Sequence, residues 1–242
     1  MRIGKLHLHW GAPPRRRRYE AANMNRLTAD WVFGASSSNR EIQGGLKVIR
    51  ERARELERNN DYGRRYLQLV EANIVGRGFA LRVEGDTDNR VRDGFTAWAR
   101  TADITGRLSW PDMQRLVVRT VARDGEAIAQ TIMGRFADGM ARRIMEADYI
   151  DEAYNSSPPH SPRIVQGVEI DANGRPIAYH CLTEHPGDTA SIRATRKRIP
   201  ASEMIHVARI ERPGQVRAVS WVASCMQALK MLYGYQEAEL VA

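Results

Sequence analysis

Apolar positions along this 242-residue chain recur at helical spacing in its first half and at strand spacing later. Ile42, Leu46, Ile49, Ala53 and Leu56 follow one another at intervals of four, three, four and three, while Arg, Lys and Glu fill the opposite face. That stripe predicts a helix breaking near Asn59-Asn60. A second helix is predicted over Asp61 to Ile74, with Tyr62, Tyr66, Leu69, Val70 and Ile74 on one side and Gly76 and Gly78 as its stop. Phe79 to Val83 reads as a strand before a polar turn at Glu84 to Asn89. Trp98 falls in a helix around Asp93 to Ala102, and Ser109-Trp110-Pro111-Asp112 starts another, since proline suits the first turn. Its stripe of Met113, Leu116, Val117, Thr120 and Val121 runs to Asp124-Gly125. Ala127 to Met133 reads as a strand. Beyond the polar loop Ser156 to Pro162, the runs Ile164 to Ile170 and Ile177 to Leu182 flank Asp171-Ala172-Asn173-Gly174. Asn-Gly there predicts a tight hairpin with a two-residue type I′ turn. Strand character returns in Ile192 to Ile199 and Met204 to Ile210. A last helix is predicted from about Ser220 to Ala242, with Val222, Met226, Leu229 and Tyr233 on one face. Helices first and strands later, without βα alternation, predict an α+β class.

Charge adds a direction to this picture. Lys+Arg outnumber Asp+Glu by 37 to 29, a net +8, which favours contact with a polyanion. Four of those charges stand in one run, Arg15 to Arg18, after the alternating string Ile3, Lys5, Leu6, His7, Leu8, His9, Trp10 and the break Gly11-Ala12-Pro13-Pro14. Residues 1–18 therefore read as a basic arm, flexible or ordered by a partner. Its arginines are the DNA-contact candidates, with Trp10 and Tyr19 near enough to add stacking. No stretch approaches the roughly 18 apolar residues of a membrane span, and no apolar region follows the first charges, so an unsecreted, cytosolic protein without membrane contact is expected. Cys181 and Cys225, far apart among apolar or small neighbours, are expected as buried free thiols.

Candidate chemistry is sparse. His7 and His9 lack further ligands at metal-binding spacing. Asp86 and Asp88 begin a calcium-loop pattern that Arg90 and Val91 interrupt, where an oxygen donor and a glycine belong. Gly76-Arg77-Gly78 follows a helix, not the strand a dinucleotide fingerprint requires. Cys181 has His180, His185 and His206 as possible activating bases, but strand alternation points His180 and Cys181 apart, which predicts a core cysteine and a surface histidine. The basic residues between Arg40 and Arg58 are expected to form solvated helix faces. No catalytic residue, metal or cofactor is expected. Two other classes remain beside a structural protein: a stand-alone basic nucleic-acid-binding module, and a cysteine hydrolase built on Cys181 and His206.

Several strings, in order, resemble the lambda-type phage portal family. They are Tyr19-Glu20-Ala21-Ala22 with Arg26 and Asp30-Trp31; Asn39-Arg40-Glu41-Ile42; Arg52-Ala53-Arg54-Glu55-Leu56 with Arg58-Asn59-Asn60; Ala72-Asn73-Ile74-Val75-Gly76 and Gly78; Trp98-Ala99; Gln114-Arg115-Leu116; and Asp124-Gly125-Glu126. The densest block is Gly167-Val168-Glu169-Ile170-Asp171, Gly174-Arg175-Pro176, Ala178-Tyr179-His180 and His185-Pro186-Gly187-Asp188, closed by Ile199-Pro200-Ala201 and Ile205-His206-Val207. The resemblance implies a non-enzymatic subunit of a dodecameric head-tail connector ring at one capsid vertex, assembled in the bacterial host cytoplasm. DNA enters and leaves through such a ring without sequence preference. Terminase, major capsid and head-tail joining proteins would be its partners. It also implies that residues 19–219 form a wing-like domain of amino-terminal helices followed by β-hairpins, and that 220–242 begin a stem-type helix whose continuation is missing. Two strings depart from the family. Where Gly-Gln-x-Arg-Gly-Val-Pro is common, this chain has Gly214-Gln215-Val216-Arg217-Ala218-Val219-Ser220, and Gly125-Glu126 is followed by Ala127-Ile128 instead of an aromatic.

Overall fold

Two adjacent glycines divide what the apolar spacing predicts as one helix. In the computed structural model, which describes residues 26, 29–30, 34–85, 89–134, 139–159, 162–188 and 194–241, α1 (Ser38–Gln43) ends at Gly44 and α2 (Leu46–Asn59) begins after Gly45. Each glycine costs a helix interior about 1 kcal/mol relative to alanine, and two in succession give the break. α3 (Asp61–Ile74) has the predicted bounds and is capped by Asn60, whose Oδ1 accepts from the Gly63 N–H at 2.9 Å. The face it buries differs from the predicted one. Gly63 and Leu67 are buried, whereas Tyr62, Tyr66, Leu69 and Ile74 are exposed. Gly63 lets the helix approach α2 closely, since a Cβ there would lie 3.2 Å from the Leu56 carbonyl oxygen. Phe79 to Val83 is exposed and forms no strand; the Phe79 N–H donates to Gln114 Oε1 at 2.9 Å instead of joining a ladder.

α4 (Arg90–Thr101) buries Trp98, which packs on Trp110 at 5.1 Å between ring centres. That contact joins it to α5 (Trp110–Asp124), which opens as predicted, with the Ser109 hydroxyl accepting from the Asp112 N–H and Pro111 in the first turn. α5 ends at Gly125, whose φ of 94° needs glycine. The chain then enters β1 (Glu126–Met133), which pairs antiparallel with β2 (Met140–Met145) and with β7 (Met204–Ala208), giving the order β2-β1-β7. A second sheet carries β3 (Arg163–Val165), β4 (Val168–Ile170), β5 (Pro176–Leu182) and β6 (Arg196–Pro200) in sequential antiparallel order. Ile128, Met145, Val168, Tyr179, Cys181 and Ile199 fill one core between the sheets. The alternate side chains of the first sheet, including Ala129 and Ile144, face α5.

The first two hairpins of the second sheet are built from turns, but not as the Asn-Gly signal suggests. Asn173 does not adopt positive φ, so no type I′ turn forms there. Asp171 instead closes a longer loop, its Oδ1 accepting from the Asn173 and Arg175 N–H groups at 2.8 Å, with Gly174 at φ 83°. The two-residue turn with positive φ at both positions lies between β3 and β4, at Gln166 (49°) and Gly167 (80°), and splits the predicted run Ile164 to Ile170. The last helix starts later than predicted. α6 (Met226–Val241) follows a turn in which the Trp221 N–H donates to the Ala122 carbonyl at 3.1 Å. No helix among the described residues is long and apolar enough to cross a membrane.

Candidate functional site

Two strings far apart in sequence, Asp124-Gly125-Glu126 and Gly214 to Ser220, meet where β1 begins. Gly125 makes the meeting possible. A Cβ on it would fall 2.3 Å from the Val219 carbonyl carbon and 2.6 Å from the Ala218 oxygen, so only glycine lets the two backbones approach this closely. Beside it, Glu126 and Arg217 are completely buried. Arg217 Nε donates to both Glu126 carboxylate oxygens at 2.9 and 3.0 Å, and Nη2 reaches Oε1 at 2.5 Å. The rest of the guanidinium is satisfied by the carbonyls of Gln166 (3.0 Å) and Ala147 (3.1 Å). The Gln166–Gly167 turn thus aims a backbone oxygen into the site.

Glu126 also receives Arg50 Nη2 at 3.3 Å, the Ala218 N–H at 3.3 Å and lies 2.9 Å from His206 Nε2. Burial pushes its carboxyl up, but the Arg217 charge and the His206 hydrogen bond outweigh that and hold it far below the usual carboxylate range. Arg50 is 1 % exposed and Nη1 bonds Asp148 at 3.1 Å; Arg54 bonds the same carboxylate at 2.6 Å and Asp124 at 2.9 Å. Burial raises the Asp148 carboxyl, and Arg50 and Arg54 more than reverse this. Arg123 links Asp124 to Glu57, and Arg119 links Glu57 to Glu71. The predicted solvated face of α2 is therefore corrected. Arg50 and Arg54 point inward, because α5, β1 and the Ala147–Tyr149 turn supply carboxylates that replace their water.

The flanking loop is held by amides. Gln215 Oε1 accepts from the Glu211 and Arg212 N–H groups at 3.0 and 3.1 Å, and its Nε2 donates to the Arg217 carbonyl at 2.9 Å. Asn39 donates to the Gly214 carbonyl at 2.8 Å and accepts from the Val216 N–H at 2.9 Å. From there the chain reaches α6, where Met226 packs on Ala53 and Leu56 with Ile49, Val222 and Leu229 around it. Beyond Leu229 most of the apolar side chains are exposed, among them Met231, Leu232, Tyr233, Tyr235 and Leu240, although Gln236 still donates to the Tyr62 hydroxyl of α3 at 3.1 Å. The site can fix the direction in which α6 departs, and it offers no group poised for bond-making chemistry.

The other candidates separate. Cys181 is buried in β5, burial pushing its thiol up to about 11, while His206 lies in the other sheet on Glu126; no hydrogen bond joins the two among the described residues. A thiol of that kind is not ionised near neutral pH, so the hydrolase reading fails. His180 is not on the surface. It is buried, 3.1 Å from Glu169 and edge-on to the Tyr154 ring. Cys225, in the turn just before α6, is exposed rather than buried. Glu146, Asp148 and His185 bring one ligand atom each within 4.8 Å of the others. Arg54 stands 3.6 Å from Glu146, so two of these carboxylates already have guanidinium counter-charges. Arg15, Arg16, Arg17 and Arg18, with His7, His9, Asp86 and Asp88, lie outside the described residues. Residue patterns gave Arg217 and Glu126 no role, although each carried a signal: a charged residue set among apolar or small neighbours, in Val216-Arg217-Ala218-Val219 and Glu126-Ala127-Ile128.

Comparison with known proteins gives a family match and a curated relative. The family model described as "Phage portal protein, lambda family" matches residues 24–242. The probable portal protein of Halomonas phage phiHAP-1 is 32 % identical over 248 aligned residues, covering 95 % of this chain and 48 % of the relative. The chain thus spans about half the length of the curated relative it matches.

Proposed function

We propose, from the premise that this chain belongs to the lambda family of phage portal proteins, that it contributes the wing of a ring, dodecameric in the full-length protein, at one capsid vertex. Membership in this structural family makes it a non-enzymatic component of virion assembly. In this reading the ring conducts double-stranded DNA during packaging and ejection, and docks terminase, the major capsid protein and the head-tail joining proteins. Residues 1–18 form a basic arm, 19–219 the wing-like domain, and 220–242 the start of a stem-type helix. The observation that carries the reading is the family match along residues 24–242. The buried junction supports it, because a helix leading away from a wing needs a rigid base, and Glu126 with Arg217 supplies one at the root of α6.

DNA contact in this reading is made to the phosphate backbone by Arg15, Arg16, Arg17 and Arg18. Four cations release about four counterions, so the slope of log affinity against log salt from this run is about −4 at most. Filter binding of two unrelated duplexes over a salt series is expected to give equal affinities and that slope. A strong preference for one duplex favours the stand-alone binding-module reading instead. The ring itself is tested by negative-stain microscopy of the full-length gene product. Rings with an axial channel are expected, and a product that stays monomeric at all concentrations overturns the assignment.

A further inference from the structure

The sheet edges of this molecule are not alike. β6 exposes Arg196, Lys197 and Arg198, and charged side chains of that kind discourage another strand from pairing. β2 is partly covered at its outer side by the bridge from Asp103 to Arg142, and β3 is only three residues long. β7 has none of these protections. Its five residues, Met204-Ile205-His206-Val207-Ala208, include no Lys, Arg, Asp or Glu, and its outer side has no partner among the described residues. Ile205 and Val207 are 43 % and 41 % exposed. They form one wall of an almost wholly apolar groove of about 280 Å³ whose other walls include Phe79, Val117 and Val118.

The residues at the two ends of β7 say what fits this edge. Glu203 directly precedes the strand and Arg209 directly follows it, both exposed. Glu203 ends the 3-10 turn Ala201–Glu203 and Arg209 lies just past the strand, so Ile205 and Val207 share one face of β7 with an acid at one end and a base at the other. Such an arrangement is complementary to itself when run antiparallel. With a two-fold axis at His206, Ile205 of one copy stands opposite Val207 of the other, and Glu203 opposite Arg209, twice over. Arg209 pairs with Glu211 at 3.4 Å, both more than half exposed, and its guanidinium stands 5.7 Å from the centre of the Trp221 ring, contacts that a facing carboxylate can replace.

We infer that β7 is a homophilic edge: two copies of this chain pair β7 to β7 antiparallel, joining their sheets in the order β2-β1-β7-β7-β1-β2. The contact is isologous, with the same patch on both sides, and a two-fold contact cannot by itself close a cyclic ring. It therefore describes the unassembled chain and stands or falls apart from the ring reading. Five paired residues and a shared apolar groove bury little area, so the pairing is weak and concentration-dependent.

Sedimentation equilibrium of the chain, over a series reaching millimolar concentration, is expected to show monomer passing into dimer. Val207→Lys sets a charge at the exposed edge of the groove and should abolish dimer while circular dichroism shows the monomer still folded. Glu203→Arg and Arg209→Glu should each weaken the dimer by about tenfold or more, since each turns two attractive cross-strand pairs into repulsive ones. The double swap Glu203→Arg with Arg209→Glu should restore it. Hydrogen exchange gives a second reading: the β7 amides should slow as concentration rises in the wild type and not in Val207→Lys. A monomer throughout the series, a dimer indifferent to Val207→Lys, or a swap that fails to restore what the single reversals lose each overturns the inference.

Discussion

Replacing Glu126 by Gln keeps the size and shape of the side chain and removes only its charge. The consequence follows from what surrounds it. Arg217 is completely buried and Arg50 nearly so, and Glu126 is the carboxylate that both guanidiniums share. A glutamine can accept through one oxygen, but its amide N–H₂ then faces donors where the second carboxylate oxygen stood. Two cations are left in the interior with their common counter-charge gone. Removing one partner of a buried pair costs about 3 to 5 kcal/mol, because the remaining charge is neither hydrated nor paired. Against a total stability of roughly 5 to 15 kcal/mol for a domain, that is a large fraction. Urea unfolding, followed by circular dichroism, is expected to show a lower midpoint with an unchanged slope. Arg217→Met should cost a similar amount. The double variant Glu126→Met with Arg217→Met should lose much less than the two single losses together, since it leaves fewer buried charges unbalanced. A loss below about 1 kcal/mol in Glu126→Gln, or additive losses in the double variant, would refute the picture of a shared carboxylate in the interior.

Three further outcomes are expected. Glu126, Asp148 and Glu57 are all held below their ordinary values despite burial, by Arg217 and His206, by Arg50 and Arg54, and by Arg123 and Arg119; their contribution is complete above the unfolded values near 4 and is lost as pH falls through the depressed folded ones, so thermal unfolding scanned by pH should hold level near pH 5 and drop below about pH 4. Gly174→Val, at φ 83° with open space around it, should cost roughly 1 to 3 kcal/mol of backbone strain, whereas Gly167→Val should cost clearly more in the same chemical melts, because its Cβ would also lie 2.6 Å from the Asp151 carbonyl oxygen; equal losses would show that the close approach is unimportant. Leu232→Glu, on the exposed part of α6, should reduce association measured by light scattering and leave stability unchanged, while Met226→Glu should lower stability, since Met226 is buried on α2 and not available to a partner.

Local chemistry was legible wherever it decided the outcome by itself. Asn60 and Ser109 marked the starts of α3 and α5, Gly76 and Gly125 their ends, and apolar runs of strand length gave β1 and the region of the second sheet. The misreadings share a cause, which is that the deciding partner lies far away in sequence. Arg50 and Arg54 look like the solvated side of an amphipathic helix until Glu126, Asp124 and Asp148 are brought against them from 70 or more residues on. His180 belongs to the interior only because Glu169 and Tyr154 meet it there. The Asn-Gly signal correctly located a reversal but not its type, as Asp171 captures the neighbouring N–H groups and settles the loop in another conformation. The resemblance contained the junction in two separate strings, Asp124-Gly125-Glu126 and Gly214 to Ser220. Neither string alone indicates that an arginine from one neutralises a carboxylate in the other.

The clasp at Gly125 has a mechanical meaning. A pull on α6 passes through residues 214–222 into β1 and the bases of α2 and α5, because the connecting backbone is pressed against Gly125 and the Arg217 guanidinium is bound on every side. Swinging the helix about this point would require drawing the buried Arg217 guanidinium away from its carboxylate, at several times the thermal energy. The junction therefore behaves as a weld and not as a joint. Load applied along α6 turns the compact unit Ser37–Ala242 as a lever, and bending falls to the exposed stretch of helix beyond Leu229, which only the hydrogen bond from Gln236 to Tyr62 ties back to α3 among the described residues.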